Sequence, residues 1–320
     1  MDERLEISVI ICTYNRAEYI IGAIESLYSQ TLQNEKFEVI VADNNSIDNT
    51  GVLVQQYGPE HPDLHLVYLT ESRQGSSFAR NTGAAFARSE LLCFMDDDAI
   101  AEPDYLQRII EFFQAHPDAT GLGGRIIPKY IPAEPKWMSR YVSSLVGNFD
   151  YSTKVEKFRH EKYPLESNMI VRKDDFDTIG GFNTDLPGVK GTLRIGGEGK
   201  DFFLRLQKLG KVIYYDPKIV VHHVVEVKKL TPHYLYRIAS GIGRGERVRT
   251  KAIGPFAYIK KILEYLYKLA GSVVLGILYA FKGKPAQSWP VIRFRIDALK
   301  GLMSPLNSPN GGNINRIDRS

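Results

Sequence analysis

Residues 91–98 read Leu-Leu-Cys-Phe-Met-Asp-Asp-Asp, an apolar run that ends in three consecutive acids. A short apolar run that ends in turn residues is typical of a buried strand, so the acids are predicted at the strand's carboxyl end. In open α/β sheets, ligands bind at that edge. Adjacent carboxylates repel one another, and an oxygen-preferring cation such as Mg2+ or Mn2+ would offset the repulsion. The stretch therefore predicts either a metal site at the edge of a parallel sheet or a solvated acidic turn.

The chain before this stretch alternates apolar runs with amphipathic patterns. Strands are predicted at 7–12, 37–43, 64–69 and 91–95, and helical patterns at 19–28 and 76–88. This alternation is typical of a parallel sheet built from βαβ units. The first strand leads into Thr13-Tyr14-Asn15-Arg16, which lacks the glycines of a dinucleotide-binding or Walker loop. The sequence therefore argues against a dehydrogenase or a P-loop nucleotidase.

Several motifs occur in the same order as in a known enzyme family. The main ones span residues 8–16, 41–48, 79–83 and 94–98, and further matches at 167–172, 180–182, 196–198, 201–206 and 215–217 extend the similarity over about residues 6–230. In these motifs the chain resembles family 2 glycosyltransferases with the GT-A fold. Two positions depart from the family's usual pattern. Cys12 stands in place of proline, and Gly199 stands in place of the second carboxylate of an acidic pair.

This resemblance implies a fold and an activity. The implied fold class is α/β: a GT-A, Rossmann-like, mostly parallel sheet with helices on both faces, plus a helical C-terminal appendage. The implied reaction is metal-dependent, inverting transfer of a sugar from a nucleoside-diphosphate sugar to an acceptor hydroxyl during glycan assembly, with Mn2+ or Mg2+ as cofactor and a glycan or lipid-linked acceptor. A catalytically inactive sugar-nucleotide or glycan-binding protein is one alternative, which Gly199 keeps open. A sugar nucleotidyltransferase is the other, although the Gly-rich, basic loop usual in that class is absent after the first strand.

The resemblance also implies which residues form the donor site. The residues expected to hold the nucleotide are Thr13, Tyr14, Asn15, Asp43, Arg80, Asp96 and Asp97. Asp43 can accept hydrogen bonds from ribose hydroxyls or a base N–H, and Arg80 can present its planar donor fork to the diphosphate or form a surface ion pair. Asp98 is the expected metal ligand of the acidic triplet and Asp96 the expected ribose contact. Asp97 is expected to matter least.

Two acids are candidates for the base that takes the proton of the acceptor hydroxyl. Glu198 follows two glycines and begins a helical pattern, so it is the first choice. An acid at a helix N-terminus often serves only as a cap, which is the structural alternative for Glu198. Asp201, in the first turn of the same predicted helix, is the rival base.

His222 and His223 end a predicted strand. Neighbouring strand residues point to opposite faces, so only one of the two can enter the site. The family resemblance implies that a histidine at about this place helps to hold the metal or the diphosphate, and His223 is favoured over His222. The alternative is a hydrogen-bonded wall residue.

Charge is distributed unevenly along the chain. Residues 228–320 contain 17 Lys and Arg and 4 Asp and Glu, a net charge of +13, whereas the whole chain has a net charge of +4. This basic region includes an uninterrupted apolar run at 269–281, shorter than the roughly 20 residues that a spanning helix needs. Its Lys and Tyr flanks favour a helix lying on an anionic membrane surface, with a packed core helix as the alternative. No nucleic acid-binding signature accompanies the basic residues, so nucleic acid is not expected as a partner.

The predicted organisation follows from these patterns. Residues 1–230 form the glycosyltransferase domain, divided into a nucleotide-sugar half at 1–120 and an acceptor half at 121–230, followed by a basic helical region at 231–306 and a disordered tail at 307–320. Residues 121–168 are expected to be loop-rich, with aromatics that serve either the core or sugar stacking, and residues 188–191 to form a moving loop. Cys12 and Cys93 are expected as buried free thiols. The polar, acidic start predicts no secretory signal, which favours a cytoplasmic protein peripheral to the membrane.

Overall fold

The computed structural model describes residues 5–190 and 193–305, so the tail predicted at 307–320 lies outside the described residues. The chain divides into two compact units. The first comprises residues up to 133, 146–184 and 198–226, and the second comprises 134–145, 185–197 and residues from 227 onward. Two segments of the predicted acceptor half, 134–145 and 185–197, therefore belong to the same unit as the C-terminal helices.

The described secondary structure follows the predicted alternation at its N-terminal end. The strands are β1 (Ile7–Thr13), β2 (Phe37–Asp43), β3 (Leu66–Thr70), β4 (Leu91–Asp96), β5 (Ala99–Ala101), β6 (Ala119–Ile131), β7 (Glu156–Lys157), β8 (Asn168–Arg172), β9 (Gly188–Lys190), β10 (Leu193–Ile195) and β11 (Val212–Glu226). The helices are α1 (Ile20–Tyr28), α2 (Thr50–Glu60), α3 (Ser76–Phe86), α4 (Tyr105–Ala115), α5 (Lys173–Thr178), α6 (Glu198–Lys208), α7 (Pro232–Ile253), α8 (Pro255–Phe281) and α9 (Ser288–Met303).

One mixed sheet organises the first unit. Its order is β3-β2-β1-β4-β8-β6-β11-β5, and β7 pairs with β11. The strands β3, β2, β1 and β4 are parallel, as predicted, whereas β8 runs antiparallel to both β4 and β6. Parallel strands end at the same edge, so the polar residues that follow β1, β2 and β4 are brought together.

Both faces of the sheet are covered. Val9 and Ile11 of β1 belong to one buried apolar cluster together with side chains of α1 and α4, whereas Ile10 belongs to a second cluster with Phe202 and Phe203 of α6. This alternation follows from the two-residue period of a strand. The predicted α/β class with helices on both faces is confirmed.

The two cysteines lie in adjacent strands. Cys93 is buried and Cys12 is partly buried, and both are free thiols. Burial raises the pKa of each thiol to about 12, because a thiolate would be poorly solvated there. Neither thiol is therefore activated as a nucleophile, in agreement with the expected structural role.

Three segments differ from the sequence-based expectation. Residues 119–131, part of which was expected to be loop-rich, form the long strand β6, because this segment pairs with β8 and with most of β11. The strand predicted to end at His222 and His223 extends over Val212–Glu226 for the same reason. Residues 188–190, expected in a moving loop, form β9 and pair with β10 in a separate two-stranded sheet.

The second unit contains α7, α8 and α9. Cβ atoms added to Gly243 of α7 or Gly301 of α9 would collide with the backbone of the other helix, at Ala298 and Ser240 respectively. These glycines therefore allow a close helix crossing.

Helix α8 is 27 residues long, twice the length of the apolar run that signalled it. By length and composition it is able to cross a membrane, and 17% of its most apolar 18-residue window is buried. Unlike the apolar run at 269–281, the whole helix is long enough to span, because it begins at Pro255 and includes Lys260, Lys261 and Lys268 before that run.

Candidate donor and metal site

The ends of β1, β2 and β4 bring together residues that are distant in sequence. Thr13 pairs in register with Asp43, and Cys12 pairs with Asp96. Asp43 is buried and accepts hydrogen bonds from the Tyr68 hydroxyl at 2.7 Å and from the Ser46 backbone N–H at 2.8 Å. Its carboxylate is thus fixed at the edge of the sheet, where a nucleotide would lie.

Asn15 shapes the loop that borders this edge. Its φ of 53° lies in the left-handed region, which Asn tolerates better than most residues. Its backbone N–H donates to the Ser46 hydroxyl at 2.8 Å, and its side-chain oxygen accepts from the Ile47 N–H at 2.8 Å. Asn15 therefore joins the loops that follow β1 and β2, and the neighbouring Tyr14 remains 40% exposed.

The acidic triplet contributes to a cluster of potential metal ligands. One ligand atom each from Asp96, Asp98 and His223 lies within 4.8 Å of the others. The backbone carbonyl of Asp98 accepts a hydrogen bond from the Val224 N–H at 2.9 Å, which fixes the turn after β4 against β11. His223 Nε2 lies 2.9 Å from Asp98 Oδ1.

The orientation of His223 suits metal binding. Its Nδ1 lies 2.9 Å from the Val146 carbonyl, which can only accept, so the Nδ1–H donates and Nε2 is directed toward Asp98. Gly147, at a φ of 87°, leaves room for the ring, because an added Cβ would lie 2.8 Å from Nδ1. Two carboxylates suit Mg2+ or Mn2+, and an imidazole nitrogen favours Mn2+ of the two. The residues present therefore fit a divalent metal ion.

His222 points to the other side of β11. Its Nε2 lies 2.6 Å from Glu102 Oε1, and it is not part of the metal-ligand cluster formed by the described residues. The two histidines alternate as neighbouring strand residues must. Of the two candidates that the sequence offered, His223 is the one that the fold brings to Asp98.

Asp97, the middle residue of the triplet, is buried. Burial raises its pKa, and the neighbouring Asp98 carboxylate adds to the effect. The Arg16 guanidinium, whose Nε lies 3.7 Å from Asp97 Oδ1, acts in the opposite direction on the pKa. The pairing of Arg16 with the triplet was not predicted from the sequence.

Arg80 is buried in α3 and contacts two carboxylates. Its Nη1 lies 3.3 Å from Glu198 Oε1, and its Nη2 lies 3.4 Å from Asp96 Oδ1. Burial lowers the pKa of Arg80, but Glu198 and, to a lesser extent, Cys12, Asp96 and Glu166 together more than offset this, so the pKa is raised overall. Ser76, at the start of the same helix, donates to Glu198 Oε1 at 3.0 Å. The surface ion pair considered for Arg80 is therefore replaced by a buried one.

The two candidate bases have different surroundings. Glu198 is buried and joins the Arg80 network at the edge of the sheet. Asp201 accepts from Arg205 Nε at 2.8 Å, and Arg205 also donates to the carbonyls of Ile179 and Gly181. Asp201 thus helps to anchor the turn after α5, whereas Glu198 contacts residues of the predicted donor site.

Two neighbouring residues were missed by the sequence-based reasoning. The Ser167 hydroxyl donates to Asp96 Oδ2 at 2.6 Å. Glu166 accepts from the Gly199 N–H at 2.9 Å, next to Glu198. Ser167 belonged to a recognised motif, but no sequence pattern indicated that this motif lies beside the acidic triplet.

Comparison with known proteins agrees with this geometry. The family model described as glycosyl transferase family 2 matches residues 8–180, which is more than half of the chain. The chain therefore belongs to glycosyltransferase family 2 and is a glycosyltransferase.

Two curated relatives and one solved structure show the breadth of this similarity. A glucosyl-dolichyl phosphate glucuronosyltransferase of Haloferax volcanii is 25% identical over 68% of this chain and 69% of its own length. A dolichyl N-acetyl-alpha-D-glucosaminyl phosphate 3-beta-D-2,3-diacetamido-2,3-dideoxy-beta-D-glucuronosyltransferase of Methanococcus voltae is 25% identical over 85% of this chain and 82% of its own. The mannosyltransferase PcManGT of Pyrobaculum calidifontis, solved with GDP-Man and Mn2+, has a TM-score of 0.64 and 22% identity, and the match covers 94% of this chain and 88% of that one. These similarities support the GT-A fold predicted from the motifs.

Proposed function

We propose that this glycosyltransferase transfers a sugar from a nucleoside-diphosphate sugar, with Mn2+ or Mg2+ as cofactor, to a hydroxyl of a lipid-linked glycan. The observation that carries the proposal is the cluster of Asp96, Asp98 and His223 at the end of β4. Thr13, Tyr14, Asn15, Asp43, Arg80 and Asp97 are proposed to form the donor nucleotide site around it.

The proposed metal ligands are Asp98 and His223, with Asp96 contacting either the metal or the ribose. When bound, the metal would neutralise the charge that develops on the departing diphosphate. Arg80 is held by Glu198 and Asp96, so its guanidinium is preorganised next to the same site.

Glu198 is the proposed base, and Asp201 is the alternative. In a single displacement, Glu198 takes the proton of the acceptor hydroxyl while the hydroxyl oxygen attacks the anomeric carbon. The bond to the diphosphate breaks with its electron pair leaving on the nucleoside diphosphate. Attack opposite the leaving group inverts the anomeric centre, so an α-linked donor gives a β-linked product.

The names of two relatives and two features of the second unit support a lipid-linked acceptor and a membrane location. Two relatives are named for action on dolichyl phosphate-linked sugars. A cavity of about 410 Å3 within this unit has a largely apolar lining that includes Trp137, Trp289 and Phe294. Helix α8 exposes large apolar side chains, among them Ile259 and Leu263, and carries Lys260, Lys261 and Lys268 in its N-terminal half. These features favour a cytoplasmic protein that is held on the membrane through α8 and neighbouring basic residues.

A two-stage experiment tests the function. The full chain is screened for thermal stabilisation by UDP, GDP, GDP-mannose, UDP-glucose and UDP-glucuronic acid, each with Mn2+ or with EDTA, because a ligand of the folded state raises the melting temperature. The stabilising sugar nucleotide is then supplied in labelled form with a bacterial or archaeal lipid extract. Mn2+-dependent transfer of label into the organic phase, with a β-linkage by NMR, is expected.

Three results would separate the alternatives. Stabilisation without any transfer to lipid or to water would favour a catalytically inactive binding protein. Transfer only to soluble glycans would exclude the lipid-linked acceptor. Transfer that persists in EDTA would exclude the metal role.

A further inference from the structure

Gly199 has a structural explanation that lies in a neighbouring side chain. It is the second residue of α6, and its φ lies outside the left-handed region that requires glycine. A Cβ added to Gly199 would lie 2.6 Å from Glu166 Oε1, 2.7 Å from its Cδ and 2.8 Å from its Cγ. A Cβ at position 199 would therefore have to displace the Glu166 side chain, whose carboxyl group fills the space that glycine leaves.

Glu166 is directed into this space by the fold. Its Oε1 accepts the Gly199 N–H at 2.9 Å, one of the first N–H groups of α6, which lack partners within the helix. Two residues further on, the Asn168 side chain donates to the carbonyls of Arg125 and Ile219 and accepts from the Tyr105 hydroxyl. The segment that carries Glu166 is therefore held firmly against the sheet.

The surroundings of Glu166 are strongly charged. The charged and titratable groups near the Glu166–Glu198 pair are Arg80 of α3, Asp96 of β4 and Cys12 of β1. Burial and the charge of Glu198 raise the pKa of Glu166, and Arg80 opposes them. Glu166 therefore places a third carboxyl group near Arg80, which already contacts Glu198 and Asp96.

We propose that Glu166 is a positioning residue for the transfer reaction and provides, from the segment before β8, the second carboxylate that Gly199 lacks. It holds the first turn of α6 through the Gly199 N–H and so fixes the direction of Glu198. Glu198 takes the hydroxyl proton in the step described above. This assignment rests on the proposed function, with Glu198 as the base.

The direct test is Glu166→Ala, which removes the acceptor of the Gly199 N–H, compared with Glu166→Gln, in which the amide oxygen can still accept it. The assay measures release of nucleoside diphosphate from GDP-mannose or UDP-glucose with Mn2+, whichever the unchanged chain hydrolyses, with water as acceptor. We expect kcat to fall by roughly 10²-fold with KM for the donor within about twofold. This loss is expected for Glu166→Ala, and Glu166→Gln should recover most of it, because its amide oxygen keeps the hydrogen bond to Gly199.

Moving the carboxylate from position 166 to position 199 by substitution provides a sharper test. Gly199→Asp alone should clash with Glu166 and lose activity, whereas Glu166→Gly combined with Gly199→Asp places a carboxylate in the same space from the other side. We expect the double variant to recover turnover to within about tenfold of the unchanged chain. Glu161→Gln, at an exposed glutamate of the same segment, is the matched control and should leave kcat and KM unchanged.

The outcomes are distinguishable. If Glu166→Ala folds, binds GDP or UDP normally and keeps kcat, the assignment is wrong while the proposed function stands. A double variant that melts like the unchanged chain but stays inactive would also overturn the assignment. Absence of any sugar nucleotide turnover in the unchanged chain would overturn the proposed function, and the assignment with it.

Discussion

Arg80 of α3 and Glu198 of α6 form a buried ion pair, with Nη1 3.3 Å from Oε1. The two residues are 118 positions apart in sequence. A buried carboxylate is costly without a cationic partner, so each of these residues constrains the other. The pair also fixes the candidate base next to the acidic residues of β4.

Replacing Arg80 with Met should reduce the free energy of unfolding by about 3–5 kcal/mol, because Glu198 and Asp96 would lose their buried cation. Urea denaturation of the full chain measures this change. Adding Glu198→Gln should restore part of the loss, since the uncompensated charge is then removed. Equal stability of the single and double variants would show that the pair is not coupled.

Asp98→Asn should abolish the Mn2+-dependent part of nucleoside diphosphate binding while leaving the fold intact, because an amide is a poor ligand for a hard cation. Calorimetric titration of UDP and GDP, with and without Mn2+, measures it. Metal-independent affinity that is the same in both proteins would remove Asp98 from the metal site. Asp97→Asn is expected to have the smallest effect within the triplet.

His223→Gln and His222→Gln form a matched pair on one strand. His223→Gln should weaken Mn2+ binding by at least about tenfold, because only this ring lies with Asp96 and Asp98 among the described ligand groups. His222→Gln should leave it unchanged, since that ring contacts Glu102. Mn2+ titration followed by electron paramagnetic resonance distinguishes them, and equal effects of the two variants would contradict the assignment.

Glu198→Gln should lose roughly 10²- to 10⁴-fold in turnover and retain donor binding, because an amide cannot take a proton. Asp201→Asn is the paired comparison and should act mainly on stability, through loss of the contact with Arg205. If Asp201→Asn loses turnover and Glu198→Gln does not, Asp201 is the base. Donor affinity and melting temperature are measured on both proteins, so that catalytic and structural effects are separated.

Replacing Ile259, Leu263 and Leu266 with Ser should release the chain from vesicles of phosphatidylglycerol and phosphatidylethanolamine. These residues are 54%, 61% and 46% exposed and lie on one face of α8. Flotation at low and high salt measures attachment, and salt should weaken it because basic residues contribute about 1 kcal/mol each near an anionic surface. Phe86→Ser, at an exposed apolar residue of α3, is the control. Failure of the unchanged chain to float would leave the exposed face of α8 without a membrane role.

The first 100 residues show how much a local pattern can predict. The apolar runs that became β1, β2 and β4 are strands buried along almost their whole length. Such strands can be predicted from sequence, because burial on both faces requires an uninterrupted run of apolar residues. The polar residues after each run were therefore predictable as one edge of a parallel sheet. The family motifs added the activity, and the family match confirms it.

The later strands and the composition of the site depended on contacts between distant segments. The length of β6 is set by its pairing with β8 and β11. The prolines near the end of this strand did not indicate that pairing. Strand alternation showed that only one of His222 and His223 could reach the metal, but the turn at Gly147 and the carbonyl of Val146 position the one that does. No local pattern contains that information.

Gly199 illustrates the difference between what the sequence determined and what only the tertiary structure decided. The sequence by itself determined the parallel sheet, the acidic edge and the absence of a carboxylate at position 199, because these depend on periodicity and on residues that are neighbours in the chain. Only the tertiary structure decided that Glu166, 33 positions earlier, fills the space beside Gly199, and that Arg80 lies against Glu198. The physical reason is that side-chain packing and ion pairing depend on distances in three dimensions, which helix and strand periodicity do not specify.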